Sequence, residues 1–201
     1  MMSMPLAQPF PMQGLTTARL CIRPVSQADA PALLDFFQYN REHLRPWEPL
    51  RSPEFYQLTT IQALIRQYEQ TMANGQSLNL LLLLNSPESA HTVQPLIGTC
   101  NFSNIVRGVF QACHLGYALS DTYQGAGLMQ EALTAAIDWM FDHADLHRIM
   151  ANYRPENLRS AALLKRLGFE QEGYAKAYLR INGIWADHIL TALINPAHQQ
   201  S

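Results

Sequence analysis

Between Tyr123 and Leu133 the chain runs YQGAGLMQEAL, and this stretch restricts the possible folds more than any other. A glycine inside a helix costs about 1 kcal/mol relative to alanine, so Gly125 and Gly127 at a helix entrance need a reason. Before them, Gln111–Leu119 (QACHLGYAL) has the length and alternation of a strand. After them, Leu128–His143 places Met129, Leu133, Ala136, Ile137 and Met140 at helical spacing. The glycines therefore sit in a strand-to-helix turn. Amides at a helix N-terminus have no intrahelical partner and lie at the positive end of the dipole. Glycines let a phosphate approach that backbone closely. Two readings follow: an anion site, best suited to a pyrophosphate, or a tight turn that binds nothing.

Two nucleotide motifs can be tested directly, and both fail. The dinucleotide fingerprint needs a glycine at position 130 and an acidic residue ending the next strand, but Gln130 and Asn152-Tyr153 stand there. The P-loop needs a glycine followed by lysine, and no glycine in this chain has one.

The remaining elements predict one mixed α/β domain. Arg19–Val25 alternates as a half-buried strand. A helix opens near Ser26 or Asp29, with Leu33, Leu34 and Phe37 on one face. Arg41–Arg51 (REHLRPWEPLR) is dense in proline and charge, and is expected to be an irregular surface segment. Thr59–Asn74 is a second amphipathic helix, stopped by Gly75. Leu78–Leu84, Leu96–Asn104 and Gln111–Leu119 read as an antiparallel meander. His147–Tyr153 is a strand, Asn157–Leu167 a helix, and strands follow from Gly168 and over Ile184–Ile194. The expected division is a flexible tail over 1–14, a domain over 15–195 and a short tail over 196–201.

Charge excludes several partners. With 14 Lys+Arg against 16 Asp+Glu, the net charge is -2, which suits neither a duplex nucleic-acid binder nor a polybasic membrane patch. The apolar run Leu80–Leu84 is too short to cross a bilayer. The opening MMSMPLAQPFPMQG lacks a basic n-region, so no signal peptide is expected. Cys21, Cys100 and Cys113 lack C-x-x-C spacing and read as free thiols of a cytoplasmic protein. The seven histidines include no H-E-x-x-H motif, and no metal is expected.

A pattern that fits the turn is Q-x-x-G-x-[GA], with Gln124 and Gly127 in place. It resembles the acetyl-coenzyme A signature of the GNAT (acyl-CoA N-acyltransferase) superfamily, although Met129 stands where glycine or alanine is usual. Asn157 opens NLRSAALLKRLGF, similar to that superfamily's N-x-x-[SA] helix and closing L-G-F. Within it, RLCIRPV, REHLRPWEP, IGTCNFSNIVRG, HLGYAL, HRIMANY and DHILTAL run in the order of the RimJ-type ribosomal-protein-alanine N-acetyltransferases, from Gly14 to Leu193.

The resemblance implies a mostly antiparallel sheet with flanking helices and splayed central strands, binding acetyl-CoA. The pantetheine arm would lie between Gln111–Leu119 and His147–Tyr153, paired with backbone of Tyr117, Ala118 and Leu119. Gln124, Gly125, Ala126, Gly127, Leu128 and Met129 would cradle the pyrophosphate, with Asn157 and Ser160 beside the cofactor. The implied substrate is the N-terminal segment of ribosomal protein S5, free or within the ribosome or its precursor. Alternatives are acetylation of a small amine or antibiotic, and a non-catalytic ribosome-assembly partner that binds acetyl-CoA.

Amide formation from a thioester needs a neutral amine and a proton for the departing thiolate. A free α-amine has a pKa of about 7.7–8.0 and lysine about 10.4, so an N-terminal substrate needs only a distant base acting through water. Glu48 in PWEP and His114 on the strand are the candidate bases. For the proton donor, many relatives carry a tyrosine seven positions after the helix asparagine, but here that position is Leu164. Ser160 is the best remaining hydroxyl, with Tyr117, Tyr153 and Tyr174 as rivals. An early-helix cap is the plain alternative for Ser160.

Overall fold

The structure, a computed structural model, describes residues 9–85 and 94–198. Residues 1–8 and 199–201 of the expected tails, and most of the link from Asn85 to Gln94, lie outside them. The strands are β1 (Leu15–Thr16), β2 (Leu20–Pro24), β3 (Leu78–Leu84), β4 (Leu96–Val106), β5 (Ala112–Leu119), β6 (Arg148–Met150), β7 (Glu170–Ile181) and β8 (Ile184–Ile194). The helices are α1 (Ala30–Tyr39), α2 (Arg41–Leu44), α3 (Leu58–Ala73), α4 (Leu128–Asp142) and α5 (Leu158–Arg166). The strands form one sheet in the order β1-β2-β3-β4-β5-β6-β8-β7, antiparallel at every described pair except β5 with β6.

β3 explains why LNLLLLL carries so little polarity. Leu80 and Leu82 face a core shared with Leu133 and Met140 of α4. Leu81 turns to the other side, against Leu33 and Phe36 of α1 and Ile61 and Ile65 of α3. A strand covered on both faces reads as a continuous apolar run, and each buried leucine contributes roughly 1.5–3 kcal/mol relative to exposure. Phe10 is also buried, its ring edge-on to Trp139 at 4.7 Å.

The segment expected to be irregular begins with a helix. Asn40 closes α1 through its side-chain amide, which donates to the Phe36 carbonyl at 2.8 Å, and its own carbonyl accepts from Leu44 N to open α2. Leu44 is buried between the helices, and Pro46 prevents α2 from continuing. Proline and charge density correctly signal the stop, but not the single turn that precedes it.

The described strand at Arg148–Met150 is shorter than His147–Tyr153, and the difference creates the central gap. β5 pairs with β6 at Ala112/Arg148, Cys113/Ile149 and His114/Met150, and no further. Beyond Met150 the chain stays with β8: Ala151 N donates to Thr191 O, and Tyr153 and Ile189 exchange backbone hydrogen bonds at 3.2 and 2.8 Å. β5 meanwhile stays with β4 through Leu119. The two central strands therefore splay apart after His114, as the resemblance implied. No helix among the described residues is long and apolar enough to cross a membrane.

Candidate functional site

The glycine turn lies at the open end of this gap. Gly125 and Gly127 take φ of +78° and +76°, a left-handed conformation that costs an L-residue roughly 1–2 kcal/mol. A Cβ on Gly125 would meet nothing within 4 Å, so that face of the turn is open. Gly127 caps α4, and the first helical bond runs from Glu131 N to Gly127 O at 3.1 Å. The amides of Leu128, Met129 and Gln130 precede it and have no intrahelical acceptor. Leu128 and Met129 are buried in the core. Met129 thus directs its side chain inward while its amide stays in the turn, which explains how a large residue replaces the usual glycine or alanine.

Residues distant in sequence hold the turn in place. Arg19 donates from Nη1 to Ala126 O at 2.8 Å and from Nε to Glu131 Oε2 at 2.7 Å. Thr17 Oγ1 and Arg19 N donate to Glu131 Oε1 at 2.6 and 2.8 Å. Burial works against the Glu131 carboxylate, but the hydrogen bonds from Thr17 and Arg19 hold its pKa below the usual range. Arg159 of α5 donates from Nη1 to Gln124 Oε1. Nothing in the local sequence pattern marked Thr17, Arg19, Glu131 or Arg159, because the partners in each contact lie 35 or more residues apart.

Two predicted hydroxyls meet beside the gap. Tyr117 on β5 lies three residues past the last β5–β6 pair, and its Oη is 2.5 Å from Ser160 Oγ. Burial pushes the Tyr117 hydroxyl up to about 12, with Ser160 partly opposing the shift. Asn157 caps α5, its Oδ1 accepting from Ser160 N at 3.1 Å. The cap is therefore supplied by Asn157, and the Ser160 hydroxyl is left to Tyr117. Leu164 is 2% exposed and packed into the core.

Glu48 is placed elsewhere, in a recess lined by Phe37, Arg41, Leu44, Arg51, Tyr56 and Asn182. Burial raises its pKa, and Arg51, with Nε 3.6 Å from Oε2, partly opposes this. The backbone of its loop is fixed on both sides. Asn182 N donates to Glu48 O at 2.9 Å, and Arg154 Nη1 donates to Pro46 O at 2.8 Å. His114 occupies the apex of the splay, half-buried, and its Nδ1 lacks a hydrogen-bond partner among the described residues. Burial lowers its pKa. Tyr174 belongs to neither group, since its hydroxyl donates to Asp187 on the outer hairpin. Cys100 and Cys113 are free and buried, and Cys21 is half-buried. Among the described residues no three His, Cys, Asp or Glu side chains are grouped to hold a metal ion.

The arrangement comprises a gap between strands, a glycine turn with free helix amides at its end, and a hydroxyl pair on its wall. Comparisons with known proteins identify the family and the fold. The family model for the acetyltransferase (GNAT) domain matches residues 19–170. The chain is 47% identical over 186 residues to the [ribosomal protein uS5]-alanine N-acetyltransferase of Escherichia coli K12, covering 92% of this chain and 93% of that one. The crystal structure of ribosomal-protein-S5-alanine acetyltransferase from Vibrio fischeri superposes with a TM-score of 0.82 at 40% identity, covering 90% of this chain and 96% of the other. Mycobacterium smegmatis RimJ in complex with CoA-disulfide superposes with a TM-score of 0.84 at 28% identity, covering 98% and 93%.

Proposed function

The chain belongs to the acetyltransferase (GNAT) domain family, and from that premise we propose that it transfers the acetyl group of acetyl-CoA to the N-terminal alanine of ribosomal protein S5. The observation that carries the reading furthest is the 47% identity to an S5-alanine acetyltransferase across 92% of the chain. The geometry suits the chemistry. The thioester arm fits along the free edge of β5 at Tyr117–Leu119, and the pyrophosphate fits the amides of Gln124–Met129. Incubating purified S5 with the enzyme and acetyl-CoA should place one acetyl group on the N-terminal alanine, located by tandem mass spectrometry. Acetylation confined to lysine side chains, or none, would contradict the assignment.

In this mechanism the neutral α-amine attacks the thioester carbonyl, forming the C–N bond and a tetrahedral oxyanion. A backbone N–H of β5 stabilises that oxyanion, an interaction typically worth about 3 kcal/mol. Collapse breaks the C–S bond, and the thiolate takes a proton from Ser160, which is backed by Tyr117. The ammonium formed by attack loses its proton through water to a base. Glu48 fits this role because burial raises its pKa and strengthens it as an acceptor.

A base must be deprotonated to act, so activity should fall as pH drops through the raised pKa of Glu48, above the ordinary carboxylate range. Glu48→Gln is expected to remove that lower step from the kcat/KM profile, leaving only the fall below about 8 that protonation of the peptide α-amine itself sets. If the lower step persists in Glu48→Gln and vanishes in His114→Ala, the base is His114.

A further inference from the structure

His43 is not used by the chemistry above and lies far in sequence from the glycine turn, yet its ring sits between two residues of that turn. Its Nε2 is 2.8 Å from Gln124 Nε2, and its Nδ1 is 3.6 Å from Asp121 Oδ1. Two nitrogens at hydrogen-bond distance require one of them to accept. The Gln124 amide oxygen is already engaged by Arg159 Nη1, and a guanidinium only donates. Turning the amide over would set its NH2 against that guanidinium. The amide nitrogen therefore faces His43 and donates, so His43 Nε2 carries the lone pair. The ring is neutral with its proton on Nδ1, facing Asp121 at a distance that is electrostatic and too long for a hydrogen bond.

The same helix junction holds the other end of the turn. Asn40 is 2% exposed, and its Oδ1 accepts from Asp121 N at 3.3 Å. Asp121 and Gln124 are thus both tied to the α1–α2 junction, the segment that leads into the Glu48 loop.

We infer that His43 is a positioning residue for the cofactor turn, a neutral acceptor that fixes the Gln124 amide and with it the backbone donors presented to the pyrophosphate. The inference rests on the reading that this turn binds acetyl-CoA. It gives HLRPW a role on the cofactor side of the site, through its first residue.

Titration calorimetry with acetyl-CoA tests it on six proteins: wild type, His43→Ala, His43→Gln, His43→Lys, Gln124→Ala and the double variant His43→Ala/Gln124→Ala. Loss of one neutral hydrogen bond should weaken binding about three- to tenfold in His43→Ala. His43→Lys, which can only donate, should lose at least as much. His43→Gln can bring an amide oxygen to the place of Nε2 and should bind within about twofold of wild type. The defect should fall on KM for acetyl-CoA and not on kcat. In a Gln124→Ala background, His43→Ala should cost nothing further. Equal loss in His43→Gln and His43→Ala, no loss in either, or additivity with Gln124→Ala overturns the inference while leaving the acetyl-CoA reading intact. Failure of the wild-type protein to bind acetyl-CoA overturns both.

Discussion

Ser160→Ala is expected to lower kcat by about 10²–10⁴-fold while the Kd for acetyl-CoA changes little. A donor to the departing thiolate matters only as the C–S bond breaks, so its loss affects the transition state and not the bound ground state. The geometry makes this a clean test. Asn157 caps α5 by accepting from the Ser160 amide, a backbone group that alanine retains. The helix should therefore survive the substitution. Tyr117, pushed up to about 12 and 2.5 Å from Ser160 Oγ, remains protonated at neutral pH and can resupply the serine. Tyr117→Phe should lower kcat in the same direction, and the double variant should be little worse than Ser160→Ala, because the two hydroxyls act as one unit. Stopped assays at saturating acetyl-CoA, paired with calorimetry, separate the two parameters. If Ser160→Ala weakens cofactor binding with kcat intact, the serine positions ligand, and the proton source lies among Tyr117, Tyr153 and solvent.

Local sequence pattern revealed the elements better than the contacts between them. The helical spacing of α3 and α4 and the apolar run of β3 reflect burial, which periodicity reports directly. The strand-to-helix turn at Gly125 and Gly127 was also legible, since glycine at a helix entrance has few other uses, but its left-handed backbone was not. The splay was implied only by the resemblance. Its physical cause is that residues 151–153 keep bonding to β8, where Thr191 Oγ1 donates to Ala151 O and Asn152 Oδ1 accepts from Thr191 N. No periodicity encodes that preference. Tyr117 and Ser160 were both visible as hydroxyls, but 43 residues separate them, and only the packing of α5 over β5 makes them a pair. Thr17, Arg19, His43, Glu131 and Arg159 act across still less predictable distances. His43 was hidden further, because REHLRPWEP resembles a loop by composition while its first residues form a helical turn.

The central claim is that the acceptor is an α-amine, and one comparison addresses it most directly. One peptide carries the S5 N-terminal sequence beginning with a free alanine. The other has the same sequence with its N-terminus blocked and an internal lysine as the only amine. At neutral pH the neutral fraction of the α-amine exceeds that of lysine by roughly 300-fold on their ordinary pKa values. Measured kcat/KM should favour the free N-terminus by about 10²-fold or more, whereas comparable values for the two peptides would contradict N-terminal acetylation and point to a side-chain or small-amine acceptor.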